Sequence, residues 1–118
     1  MIAAIALMGS PVVAQTAQQF DLACHGTSQT LTGAQVVWND RIRVDLSANI
    51  YCWKNCTVRA QIDEVAEGVI WFSRAGDYTS VNRMTGEFEH LPGLIGREPK
   101  ITGTCRVMPF TPITERAF

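Results

Sequence analysis

Four cysteines, two histidines, three tryptophans and a cluster of carboxylates are the residues of this 118-residue chain with chemistry beyond packing. The thiols of Cys24, Cys52, Cys56 and Cys105 can oxidise to bridges, ligate a soft metal or carry redox chemistry. A Cys-x-x-x-Cys pair such as Cys52 and Cys56 needs further ligands to hold copper or zinc. Only His25 and His90 are on offer, far apart in sequence. Redox pairs want Cys-x-x-Cys opening a helix. Structural disulfides are therefore expected, with no metal and no cofactor.

Four cysteines allow three connectivities. Cys24 shares a strand face with Phe20 and Leu22, and Cys105 shares one with Ile101 and Val107. Both point inward, from near the first and the last strand. Cys52 and Cys56 flank only Trp53-Lys54-Asn55 and are close enough to bridge locally. The expected pairing is Cys24–Cys105 with Cys52–Cys56.

Acid–base chemistry has two candidate settings. His25 follows Cys24 on an outward face shared with Asp21, and Ser28 supplies a nearby hydroxyl. No Gly-x-Ser-x-Gly nucleophile motif accompanies them, so no catalytic residue is assigned. Asp63, Glu64 and Glu67 surround an expected turn. A glycosidase pair needs one carboxyl with a raised pKa, and a solvated turn accounts for all three. The cluster lacks the spacing of an EF-hand, and His90, ending a short strand with two glutamates, reads as a solvated residue.

Recognition chemistry centres on Trp53 and Lys54, inside the expected Cys52–Cys56 loop. A rigid aromatic beside a cation is a common binding anchor. The competing reading folds Trp53 back over the core as a lid. Arg83 is the third candidate binding residue, within Asn82-Arg83-x-Thr85-Gly86, where Thr85-Gly86 permits a tight turn. Trp71, in the most apolar run, is expected in the core.

The elements carrying these residues have a period of two. Ile42, Val44 and Leu46 alternate with Arg41, Arg43 and Asp45, as on a half-buried strand. Phe20–Cys24, Val58–Ile62 and Glu87–His90 alternate likewise. Val69-Ile70-Trp71-Phe72 is apolar on both faces and reads as a central, covered strand. Turns are expected at Gly26-Thr27-Ser28, Thr32-Gly33, Asn39-Asp40, Glu67-Gly68, Ala75-Gly76-Asp77, Thr85-Gly86 and Pro92-Gly93 through Pro99. At most one helical turn fits, over Asp63 to Glu67. The result is an all-β domain of about seven or eight antiparallel strands, a small barrel or sandwich tied by disulfides.

Residues 1–14 read as a cleaved signal peptide, with an apolar run from Ile2 to Met8 and small residues ending at Ala14. The basic residues that usually precede such a run are missing, and a cut after Ala17 is the weaker alternative. Residues 15–118 then form a single domain. Export and the cysteines agree on an oxidising compartment, periplasmic or extracellular. Formal net charge −1 argues against nucleic acid and a polybasic membrane mode. Asp21 spoils a lipoprotein reading of Leu22-Ala23-Cys24. Arg116 and Pro112 spoil an outer-membrane-barrel reading of the terminal Phe118. No run reaches the ~20 apolar residues of a spanning helix. Asn55-Cys56-Thr57 matches a glycosylation sequon by chance.

The order Phe20-Asp21-Leu22-x-Cys24-x-Gly26, Arg43-Val44-Asp45-Leu46, Tyr51-Cys52, Ser80-Val81-Asn82-Arg83-x-Thr85-Gly86 and Gly103-Thr104-Cys105 resembles a group of small exported proteins of Gram-negative bacteria. That resemblance implies export and a cysteine-tied β domain, and brings no assigned function. A second likeness is to envelope lysozyme inhibitors, exported β barrels with an early cysteine near a glycine. Their lysine- and serine-bearing inhibitory loop has no clear counterpart here. The functional expectation is a monomeric, non-enzymatic protein that binds an envelope protein, glycan or small ligand. The alternatives are an inhibitor of a cell-wall hydrolase and a small hydrolase.

Overall fold

The computed structural model describes residues 18–54, 56, 59–93 and 99–113. The leader, Val58, the centre of the turn after Gly93, the sequon residues Asn55 and Thr57, and Phe118 lie outside the described residues. The strands are β1 (Gln19–Gln29), β2 (Gln35–Asp45), β3 (Ile50–Trp53), β4 (Ala60–Gln61), β5 (Glu64–Val65), β6 (Val69–Ser73), β7 (Tyr78–Asn82), β8 (Glu87–Leu91) and β9 (Lys100–Met108). Helix is absent among the described residues, and none there could cross a membrane as one. All nine strands belong to one antiparallel sheet, ordered β4-β3-β2-β1-β9-β8-β7-β6-β5, which curls into a half-barrel. Its two edge strands are consecutive in the chain. Ile62 N donates to Asn49 O on one side, and Asp63 N donates to Trp71 O on the other.

Alternation builds the core. Phe20, Leu22 and Cys24 of β1 face Ile42 and Val44 of β2 and Phe72 and Phe88 from the far side. Rings meet across the concave space: Tyr51 on β3 lies 4.8 Å from Phe72 on β6. The first and last long strands are neighbours, so Cys24 and Cys105 stand directly opposite each other, 3.9 Å apart at Cα, and are bridged. Cys52 and Cys56 form the second bridge. Both expected disulfides are present.

Five expectations are corrected. Gly26-Thr27-Ser28 is not a turn: β1 runs straight through it to Gln29. Gly26 is there because its backbone meets β9 too closely for a side chain; a Cβ would collide with the Thr102 carbonyl oxygen and Gly103 Cα. Asn39 and Asp40 likewise lie within β2, paired with His25 and Cys24. Asp63 to Glu67 forms β5 and a bend, with no helical turn. Val69–Phe72 is not central, since only the two residues of β5 lie beyond it. Within it Ile70 and Phe72 are buried. Trp71 faces outward beneath Arg74, whose guanidinium carbon is 5.2 Å from the ring. Two of the nine strands, β4 and β5, are two-residue pieces of one bent segment; β4 falls within the Val58–Ile62 alternation, and β5 is too short to leave a period-two signal of its own.

The convex face of β1 and β2 is covered by the chain after β9. Asp21 is fully buried there, accepting Thr111 N at 3.0 Å and Thr111 Oγ1 at 2.7 Å, with Arg41 Nε at 3.8 Å. Arg43 Nη1 donates to Pro112 O at 3.3 Å. One carboxylate and one guanidinium thereby hold the return segment against the sheet.

Candidate functional site

Four residues in register cross the middle of the sheet: Trp38 on β2, Gly26 on β1, Gly103 on β9 and Phe88 on β8. In a flat sheet three strand spacings would put the outer two about 14 Å apart. Their rings are stacked, centroids 5.0 Å apart and planes within 16°. The two glycines make this possible. Neither carries a side chain to hold the rings off, and their backbones touch, since a Cβ on Gly103 would strike the His25 carbonyl oxygen. The sheet creases along the Gly26–Gly103 line, and the flanking aromatics close over it.

Trp53 completes this cluster. It ends β3 opposite Ile42, on the concave side, and its ring stands edge-on to Phe88 at 6.1 Å and 88°. It remains 36% exposed. Trp53 thus packs on the core through Phe88 while part of it meets solvent. Behind it Cys56 N donates to Trp53 O at 2.6 Å, and the Cys52–Cys56 bridge ties the loop. Lys54 is exposed, and its carbonyl accepts Arg43 Nη2 from the convex side.

Asp40 lies between the two tryptophans. It pairs with inward-facing Cys24, so it shares the concave face with Trp38, two residues before it, and Ile42, two residues after it. Trp53, opposite Ile42, is its diagonal neighbour, a relation that spans about 7–8 Å between backbones. Asp40 is half-buried, and its single hydrogen bond among the described residues is Arg41 N to Oδ1 at 2.7 Å.

The remaining candidates are scattered. His25 is exposed, while Asp21 on the same face is occupied by Thr111, so the two do not form a relay. Asp63 and Glu64 grip one guanidinium: Arg74 Nε reaches Asp63 Oδ2 at 2.7 Å and Arg74 Nη2 reaches Glu64 Oε1 at 2.6 Å. Two carboxylates so engaged are poorly placed for glycoside chemistry. Arg83 braces a different turn from its own, with Nη1 donating to Ala66 O at 2.9 Å and its backbone N to Gly68 O at 2.9 Å.

A polar cluster that the sequence pattern hid lies on the concave side of β7 and β8. His90, with 13% of its side chain exposed, has Thr79 Oγ1 2.8 Å from Nδ1 and Asp77 Oδ2 3.8 Å from the same nitrogen. The Ser73 hydroxyl donates to the Asp77 carboxylate. Burial, and then the Asp77 charge, push the Tyr51 phenol above its ordinary pKa. The residue types suggest a nucleophile–base–acid relay, but the geometry does not supply one. In a relay the acid and the hydroxyl use opposite ring nitrogens, whereas both approach Nδ1 here, and Thr79 is 4% exposed. Among the described residues no three His, Cys, Asp or Glu side chains are grouped to hold a metal ion.

Trp38 and Asp40 were overlooked because Asn39-Asp40 reads as a turn. Carrying the Ile42–Val44 alternation two steps upstream would have placed Asp40 and Trp38 on the concave face. Protein-family models, curated proteins and solved structures were compared with the chain, and none matches it.

Proposed function

We propose that this chain is an exported, non-enzymatic binding protein that meets its partner at the end of the half-barrel carrying Trp53 and Lys54. The observation that carries this reading is the state of Trp53: 36% exposed, yet braced on Phe88 and set in a disulfide-tied loop. An aromatic already held in place loses little freedom on binding, and such residues dominate interface energies. Arg83 falls outside the proposed contact because its guanidinium is engaged with Ala66.

Export rests on the two disulfides, which form and persist in oxidising compartments, on the apolar run from Ile2 to Met8, and on the resemblance to small exported proteins of Gram-negative bacteria. The periplasm or the exterior is the proposed location. The working unit is residues 15–118 as a monomer, with the half-barrel closing into a small barrel where β4 runs on into β5.

The test is site-specific photo-crosslinking in a Gram-negative periplasm. A crosslinker at position 53 is expected to give a discrete adduct, and one at position 83 none. Adducts at 83 but not at 53 would move the contact surface elsewhere and overturn the reading.

A further inference from the structure

We infer that the Trp53 mouth recognises an arginine side chain presented by a protein partner. This rests on the binding reading above and gives it a chemistry. Strand alternation sorts the charges at this end of the sheet. Arg41 and Arg43 project to the convex face, where the Asp21 carboxylate engages the first and the Pro112 and Lys54 carbonyl oxygens accept from the second. Asp40 projects to the concave face, between Trp38 and Trp53. No ion pair to Asp40 is present among the described residues; its one bond is to a backbone N–H. Lys54, next to Trp53, does not pair with Asp40, so among the described residues the mouth offers a carboxylate without a salt-bridge partner beside indole rings.

The molecule shows on its other side what such a combination holds. At Trp71 the Arg74 guanidinium lies over the ring at 5.2 Å while Asp63 and Glu64 take its N–H groups. Aromatic face, carboxylate and guanidinium form one unit there. At Trp53 the first two components recur, and among the described residues no guanidinium joins them; the third is what a partner would supply. A guanidinium suits the site better than an ammonium because it stacks flat on indole while its edge donates to a carboxylate. The mouth is an open, partly exposed surface, as befits a side chain on a partner protein more than an enclosed small ligand.

The test uses the whole oxidised protein and three hexapeptides: hexa-arginine, hexa-citrulline as its neutral isostere, and hexa-glutamate. Binding is read from the Trp53 and Trp38 indole N–H signals by NMR. Hexa-arginine is expected to shift both, with an affinity that weakens as salt is raised; the other two peptides are expected to leave them in place. Trp53→Ala and the near-isosteric Asp40→Asn should each weaken hexa-arginine binding about tenfold, in the range of a partly desolvated cation–π or ion-pair contact. An equal response to hexa-citrulline, or full affinity in Asp40→Asn with its disulfides and β-sheet signature intact, would overturn the inference. A crosslinked partner at position 53 together with silent indole signals would sink the arginine chemistry and leave the binding reading standing. Loss of the position-53 adduct would remove both.

Discussion

Cys24–Cys105 lies inside the sheet, between strands paired from Asp21↔Met108 to Gln29↔Lys100. Cys52–Cys56 lies at the end of β3, where pairing stops. The first bridge links residues 81 apart in sequence and the second residues 4 apart. In the loop-entropy picture that difference is worth about 4 to 5 kcal/mol against about 2. Local order runs the other way. The β1–β9 pair is already fixed by its ladder and by the glycine contact beside it, whereas the β2–β3 ladder ends at Trp53. One disulfide therefore chiefly raises global stability, and the other chiefly sets the position of an exposed ring. Stability and the placement of an exposed ring thus fall to separate covalent devices.

The sharpest way to break this comparison is at the crease. Gly103→Val is expected to yield no folded protein, because its side chain would drive into the His25 backbone. Near-ultraviolet circular dichroism of the refolded product checks it. Gly33→Ala, at a hairpin tip with nothing within 4 Å of the added methyl, is the control, and its positive φ should cost only about 1 kcal/mol. Next in size, replacing Cys24 and Cys105 together with alanine should lower unfolding free energy by about 4 to 5 kcal/mol in urea titrations. A loss under about 2 would mean that the ladder alone secures the pair. Replacing Cys52 and Cys56 with alanine should cost about 2 kcal/mol. Its distinctive signature should be faster motion of the Trp53 indole in NMR relaxation, with Trp38 unmoved. If both indoles loosen equally, the division of labour is wrong.

The smallest effect concerns Asp45 at the β2–β3 turn. Burial opposes ionisation, but hydrogen bonds from Ser47, Gln19 and Ala48 outweigh it and hold the carboxyl below its ordinary value of 3.8. A depressed carboxylate stabilises the fold above 3.8, and that contribution is lost as pH falls through the lower folded-state value. Wild type and Asp45→Asn should therefore converge in stability below that range and separate slightly above it, as thermal melts at stepped pH would show.

Much of the fold was legible because it rests on nearest-neighbour patterns. Alternation at Ile42 and Val44 marked the inner face, and Gly33, Gly76 and Gly86 marked turns that do carry positive φ. The inward faces of Cys24 and Cys105 implied their bridge. What escaped detection depends on partners distant in sequence. Gly26 looks like a turn residue until β9 is laid against it. His90 looks solvated until Thr79 and Asp77 are brought to it by the β7–β8 register. Trp71 sits in an apolar run, yet its neighbours Ile70 and Phe72 take the inside, and Arg74 makes the outside tolerable. Asp40 has the look of a turn residue in Asn39-Asp40, yet it lies within β2 and pairs with Cys24.

The adjacency of β1 and β9 also sets a timetable. No early part of the chain can complete its sheet, because the strand formed first must wait for the strand formed last. Proteins dominated by such distant pairings fold in milliseconds to seconds, far more slowly than helical bundles. The same late pairing brings the two thiols of the long bridge together, so oxidation of Cys24 with Cys105 should lag behind that of Cys52 with Cys56 and report the moment of collapse.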